Sequence, residues 1–219
     1  MEENPKRIIL PDREDTAKAV ILCMGAHARS LGIPREEALV GAGVSYCATC
    51  DGAFFKEQAA AVGGGGGTAI SDALSLSRFC TSVTVVPRRD EFRAAAVLVD
   101  KAKQVPNIHF ALSSVPVNLI GECCVQGLEI MDLKTTAQRV LPVSGVFVAV
   151  GITPQSQLVK GVVDLNEGGS IITNELMKTN IPGVYAAGDI RNTPLRQVIT
   201  ACADGAVAAT SALEFISCH

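Results

Sequence analysis

The stretch YCATCDGAFFKEQAAAVGGGGGTA, residues 46–69, brings two chemistries close together. Cys47 and Cys50 have Cys-x-x-Cys spacing, and a run of glycines begins 13 residues later at Gly63. A thiol in such a pair is acidic, and its neighbour can close a disulfide. Asp51 follows at once, a carboxyl group placed to move protons. Gly64 to Ala69 fits G-x-G-x-x-A between an apolar strand, AAAV, and a helix, AISDALSLSRFC, which is the context of a dinucleotide turn. The first glycine permits the tight turn, the second lets backbone approach a pyrophosphate, and the helix N-terminus supplies N–H donors. Two plainer readings stay open. The glycines could be a flexible linker. The cysteines could be a structural pair or half of a zinc site, which would need two more ligands from a chain whose histidines are His27, His109 and His219.

Outward from this stretch the chain reads as α/β. TSVTVV is a second strand and EFRAAAVLVDKAKQV a second helix, so strand–helix–strand predicts a parallel sheet with crossover helices. IHFAL, VNLIGE, VQGLEIMDL and QRVLPVSGVFVAVG read as further strands, some in hairpins. At the N-terminus KRIIL and AKAVILCMG read as a hairpin joined by PDREDT. The last third holds SIITN, PGVYAAGDI and a long helix, VITACADGAVAATSALEFI. An acidic residue that would hold the ribose 2′-hydroxyl of NAD is missing at the end of the second strand. Pro87-Arg88-Arg89-Asp90-Glu91-Phe92-Arg93 stands there instead. Arg88, Arg89 and Arg93 suit a 2′-phosphate through charge-assisted bonds, which selects NADPH over NADH. A solvated basic cluster is the plainer alternative.

Composition bounds the rest. Of 219 residues 48% are hydrophobic, enough for a core, and the net charge of −3 gives no electrostatic case for nucleic acid or an anionic membrane. No apolar run reaches about 18 residues, the length of a membrane-spanning helix, and the charged N-terminus has no secretory signal. A soluble cytoplasmic protein is expected, with no metal. In a reducing compartment the six cysteines outside the CxxC stay thiols. Of these, Cys23, Cys80 and Cys202 lie in apolar contexts and are expected to be buried, Cys123 and Cys124 are adjacent, and Cys218 is in the tail.

CATCDG at 47–52, GGGGTA at 64–69, RRDEFRA at 88–94, IPGVYAAGDI at 181–190 and RQVITACADGAVAA at 196–209 together resemble bacterial low-molecular-weight thioredoxin reductase, of the FAD- and NAD(P)-dependent pyridine nucleotide-disulfide oxidoreductases. The resemblance implies a Rossmann-like NADPH domain, a parallel sheet with crossover helices plus a β-meander, inserted in a discontinuous FAD domain. Residues 1–28 and 152–219 would belong to the FAD domain and 29–151 to the NADPH domain. Cys47 and Cys50 would be the redox disulfide, with Cys50 toward the flavin, and Asp51 the proton donor and acceptor. Gly64, Gly66, Gly67 and Thr68 would hold the NADPH phosphates, and Arg88, Arg89 and Arg93 the 2′-phosphate. Gly188, Asp189, Arg196, Gln197 and Val198 would contact FAD. Electrons would pass from NADPH through FAD to the disulfide, then to thioredoxin or a similar dithiol protein, in a homodimer.

The sequence also departs from that family. Pro87 replaces a His, Gly63 an apolar strand residue, Gly67 an Asn or Asp, and Ser71-Asp72 a Glu pair. Cys23-Met24-Gly25 stands for Ala-Thr-Gly. The strand, G-x-G-x-x-G turn and helix that bind the ADP half of FAD do not precede Gly25, so weak activity of this chain alone is expected. The alternative is a non-catalytic NADPH-binding or thiol-redox module that has lost its flavin.

Overall fold

The computed structural model describes residues 5–218. Its N-terminal strands are β1 (Lys6–Ile9), β2 (Glu14–Ala17), β3 (Val20–Leu22) and β4 (Ala26–Ala28). Next come β5 (Val44–Ser45), the one-turn helix α1 (Ala48–Asp51), β6 (Ala59–Gly63) and α2 (Gly67–Leu76). Then follow β7 (Ser82–Val86), α3 (Ala96–Lys103), β8 (Ile108–Phe110), β9 (Ser114–Ile120) and β10 (Gly127–Asp132). The chain continues through β11 (Gln138–Leu141), β12 (Gly145–Val148), β13 (Ile152–Pro154), β14 (Val184–Ala186) and the long helix α4 (Val198–Cys218). Two compact units result, Ala28–Gly151 and the pair of segments Met1–His27 and Ile152–His219.

In the unit Ala28–Gly151, a five-stranded sheet has the order β5-β12-β6-β7-β8, every neighbour parallel. The strand AAAVG is apolar without alternation because both faces of this sheet are covered, and β7 adds Val83, Val85 and Val86 to the buried set. Ala60, Val62, Val83, Val85 and Phe147 join a core with Ile70, Ala73 and Leu76 of α2 and Val99 and Ala102 of α3. Ala61, Val86, Val146 and Val148, which alternate with them, enter a second core with Leu119, Leu128 and Ile130 of the antiparallel meander β9-β10-β11. The parallel sheet, crossover helices and meander expected from the sequence are all present. The second helix is shorter than expected. It begins at Ala96, because residues 91–95 instead return to the glycine turn, where the Arg93 N–H donates to the Gly65 carbonyl at 2.9 Å.

In the other unit, β3 pairs in parallel with β14, and β4 pairs with β13. The N-terminal hairpin is corrected here: β1 pairs with β2, the polar EDTA, whereas VIL of the expected second strand lies in β3. Within SIITN, Ile171 forms isolated bridges with Leu165 and Arg191. Cys23 and Cys202 are exposed, and of the three cysteines expected inside only Cys80 is buried. The estimate of apolar runs also fails for α4. This 21-residue helix has a window of mean hydropathy 1.3, long and apolar enough to cross a membrane by length and composition. One side of it packs within its unit: Ala208 and Ala212 lie against Met177 and Tyr185, and the Tyr185 hydroxyl donates to the Ser211 carbonyl at 2.9 Å.

Asp72 lies on α2 three residues after Ala69 and four before Leu76, both fully buried. Desolvation pushes its pKa up to about 6. A carboxyl whose pKa is raised on folding stabilises the fold only while protonated. Its contribution is present below about pH 4 and is lost as pH rises toward 6. Asp72→Asn is therefore expected to raise unfolding free energy at pH 7 by about 1–2 kcal/mol after allowance for partial exposure, and to change little at about pH 3. Denaturant titrations at the two pH values check this, and equal effects at both would remove desolvation as the cause.

Candidate functional site

The glycine turn sits at the C-terminal end of β6. From β6 the chain winds through β7 to β8 on one side, while β12 and β5 lie on the other, so the turn is at the topological switch point of the sheet. Gly64 has a φ of +143°, and a Cβ there would lie 2.4 Å from the Ala149 carbonyl oxygen on the strand end beside it. No other residue fits. A Cβ on Gly65 would meet Pro87 at 2.9 Å and one on Gly63 would meet Leu31 at 2.9 Å. The family departures Gly63 and Pro87 are thus packed positions, and Pro87 is buried against the turn. Gly66 and Gly67 have open space where a Cβ would stand. Above them the first-turn N–H groups of α2 lack intrahelical partners. This is a cradle that side chains would fill and that a phosphate fits. Thr68 is exposed on the first turn of α2.

Arg88, Arg89 and Arg93 lie exposed on the loop after β7, and none makes a side-chain hydrogen bond or ion pair among the described residues. That loop is tethered to the cradle by the Arg93 to Gly65 bond at 2.9 Å. The backbone thus keeps three guanidinium groups available beside the phosphate cradle.

Two strands away, β5 delivers the cysteines. Cys47 caps α1 and is joined to Cys50 by a disulfide. Cys50 is exposed and Cys47 half-buried. Buried Ser45, which sequence reasoning missed, organises the pair: its hydroxyl donates to Asp51 Oδ2 at 2.6 Å and accepts the Cys47 N–H at 3.0 Å. Glu36 was missed as well. Its buried carboxylate accepts the N–H groups of Leu31 and Gly32 and the Tyr46 hydroxyl, each at 2.9 Å. Burial and the Glu36 charge push the Tyr46 pKa up to about 12, so Tyr46 stays a donor. The available signal was position: Ser45 and Tyr46 directly precede the CxxC. The buried Cys80 thiol is pushed up by desolvation and remains neutral.

The remaining candidates belong to the other unit. Gly188, with φ +78°, and Asp189 form a single 3-10 turn after β14, while Arg196, Gln197 and Val198 lead into α4. Arg196 Nε donates to the Asp189 carbonyl at 3.4 Å, so these segments meet. Asp204, missed in the sequence, holds the loop. It accepts the Gly188 N–H at 3.1 Å and is paired with Arg191 at 2.6 and 3.0 Å.

Replacing Ser45 with Ala removes the acceptor 3.0 Å from the Cys47 N–H and takes a donor from Asp51. Ser45→Ala is expected to lower unfolding free energy by about 1.5–3 kcal/mol, the range for hydrogen bonds to charged groups. Chemical denaturation of the oxidised chain measures it, and a loss below about 0.5 kcal/mol would show that Ser45 does not organise the site.

Comparison with known proteins gives one answer. Residues 3–205 match the family model described as pyridine nucleotide-disulphide oxidoreductase. A thioredoxin reductase of Mycolicibacterium smegmatis is 42% identical over 218 residues, covering 99% of this chain and 70% of that protein. One of Streptomyces clavuligerus is 46% identical over 202 residues, covering 92% of this chain and 63% of the relative. The crystal structure of thioredoxin reductase from Streptococcus pyogenes has a TM-score of 0.93 at 39% identity, covering 99% of this chain and 71% of that one. The chain thus spans about two thirds of the length of the relatives it matches. A parallel sheet carrying a dinucleotide turn and a CxxC disulfide, with relatives of this identity and extent, places the chain in the pyridine nucleotide-disulphide oxidoreductase family, among the thioredoxin reductases.

Proposed function

We propose that this chain carries the NADPH site, the redox disulfide and part of the FAD site of an NADPH-dependent thioredoxin-disulfide reductase. The observation that carries the reading is the joint placement of both chemistries on one sheet. The phosphate cradle follows β6 and the disulfide follows β5, at the C-terminal ends of parallel strands with only β12 between them. Gly64, Gly66, Gly67 and Thr68 bind the nucleotide phosphates, and Arg88, Arg89 and Arg93 bind the 2′-phosphate. Gly188, Asp189, Arg196, Gln197 and Val198 hold part of the flavin nucleotide. When bound, NADPH supplies an electron pair and FAD carries it toward the disulfide.

Reduction of the Cys47–Cys50 disulfide consumes two electrons and two protons and leaves two thiols. Asp51, oriented by Ser45, takes and returns a proton beside them. A reduced cysteine then attacks the acceptor's disulfide as a thiolate. The resulting mixed disulfide breaks when the second cysteine attacks, which re-forms Cys47–Cys50 and releases a dithiol. Relatives named thioredoxin reductase, and one from Mycobacterium leprae named bifunctional thioredoxin reductase/thioredoxin at 44% identity, support thioredoxin or a similar dithiol protein as acceptor. A homodimer and a cytoplasmic setting complete the reading.

Two outcomes test it. Charge-assisted hydrogen bonds contribute about 1.5–3 kcal/mol each, so NADPH should bind at least about tenfold more tightly than NADH. Titration of both nucleotides checks this, and equal affinities count against the arginine assignment. The second outcome concerns flavin. The one dinucleotide turn of the 219 residues is assigned to NADPH, and Val198, Ile199 and Leu213 of α4 are exposed. The 219-residue polypeptide is expected to bind FAD weakly and to turn over little, and adding the N-terminal third of a relative should restore both. Visible flavin absorbance with excess FAD and NADPH-driven reduction of a disulfide acceptor are the readouts. Stoichiometric FAD and brisk turnover from the 219 residues alone would falsify the expectation, and a colourless complemented protein that binds NADPH would favour a non-catalytic nucleotide-binding module.

A further inference from the structure

The loop that bears the three arginines also bears two carboxylates, Asp90 and Glu91. Asp90 lies between Arg89 and Arg93 in sequence, where a free carboxylate would compete with a phosphate for the guanidinium groups. It is not free. The Ser113 hydroxyl donates to Asp90 Oδ1 and the Lys134 ammonium to Oδ2, so each carboxylate oxygen has a donor from outside the loop. These bonds, Lys134 first, hold the Asp90 carboxyl below its ordinary pKa.

The backbone that carries both donors is itself held. Lys134 lies in the tight turn between β10 and β11, where the N–H groups of Lys134 and Thr135 donate to Asp132 Oδ1 at 2.7 and 3.0 Å. That turn is pinned by the Leu133 N–H donating to the Ser113 carbonyl at 2.7 Å. Ser113 is buried and left-handed at φ 48°, and the Ser114 N–H donates to the Pro87 carbonyl at 3.1 Å. Together with the Arg93 to Gly65 bond, the loop is held at one end by the meander and at the other by the phosphate cradle.

We propose that Lys134 is a specificity-determining residue for the nucleotide 2′-phosphate. It acts as a positioning residue through Asp90: by occupying that carboxylate with Ser113, it keeps Arg88, Arg89 and Arg93 unpaired and directs the path of their loop. The inference rests on the NADPH reading above and adds to it the residue that makes the arginines available. Lys134 has no place in the dinucleotide fingerprint and lies 44 residues from Asp90.

The test is nucleotide binding by the chain itself, at low salt because exposed charge effects are screened. Dissociation constants for NADPH and NADH are measured for the wild type, Lys134→Met, Asp90→Asn and the double variant. Lys134→Met is expected to weaken NADPH about fivefold, the upper range for an exposed ion pair, and to leave NADH within about twofold. In the Asp90→Asn background the same substitution should change NADPH affinity by less than about twofold, since the carboxylate to be held is gone. A wild-type chain that binds both nucleotides equally overturns the 2′-phosphate reading and this inference with it. A wild type that discriminates, with Lys134→Met keeping its NADPH-to-NADH ratio, overturns the inference alone. So does an equal fivefold loss in both backgrounds, which would make Lys134 a plain positive charge.

Discussion

The unit Ala28–Gly151 is organised around a place where no side chain fits. Gly64 turns the chain out of β6 with its Cα against the Ala149 carbonyl, and a Cβ would come within 2.4 Å of that oxygen. The close approach is set by the parallel pairing of β6 with β12, continued past the strand end by the Ala149 N–H donating to the Gly63 carbonyl at 2.8 Å. Because the strands cannot separate there, the chain must leave the sheet upward. α2 then begins with its unpaired N–H groups at the switch point. Leu31 and Pro87 pack where side chains on Gly63 and Gly65 would have been, so the turn is stiffer than a run of five glycines implies.

A second constraint acts at β5, where polar groups are buried next to reactive sulfur. Glu36 is 4% exposed and Ser45 is 4% exposed, and burial of such groups is tolerable only when every atom has a partner. Glu36 meets the demand with two backbone N–H groups and the Tyr46 hydroxyl, while Ser45 meets it with Asp51 and Cys47. Ser45 and Tyr46, the residues before Cys47, are therefore fixed by bonds that do not involve sulfur, whereas the cap of α1 uses Cys47 Sγ, which accepts the Cys50 N–H at 3.1 Å.

The sequence made this unit legible where local chemistry and sheet periodicity coincide. Apolar strands, a glycine turn and a helix follow one another within residues 59–76, and no tertiary information is needed to order them. It was less legible where a partner decides the outcome. VIL at 20–22 looks like the return strand of a hairpin, but its partner is β14, more than 160 residues away, and the polar EDTA takes the hairpin position. Cys23 and Cys202 have apolar neighbours in sequence, yet they are exposed, because burial is decided by what packs on a residue and not by its neighbours along the chain. The Lys134–Asp90 contact was illegible for the same reason, since a surface pair 44 residues apart leaves no periodic signal.

The two units use buried and exposed charge differently, and the difference follows from what each loop must present. In the flavin-candidate loop Arg191 is consumed: it is paired with Asp204, both are nearly buried, and the pair holds Asp204 below its ordinary pKa while Asp204 grips the Gly188 N–H. That carboxylate fixes backbone shape, and a buried pair of this kind is costly to break from either side. In the arginine loop the cations are spared: Asp90 is satisfied by Lys134 and Ser113, so the loop's guanidinium groups need not neutralise it. One loop commits its arginine to its own conformation, and the other leaves its arginines exposed and uncommitted among the described residues. A preformed backbone suits contacts made through N–H and carbonyl groups, whereas uncommitted guanidinium groups suit a charged group that arrives from solvent.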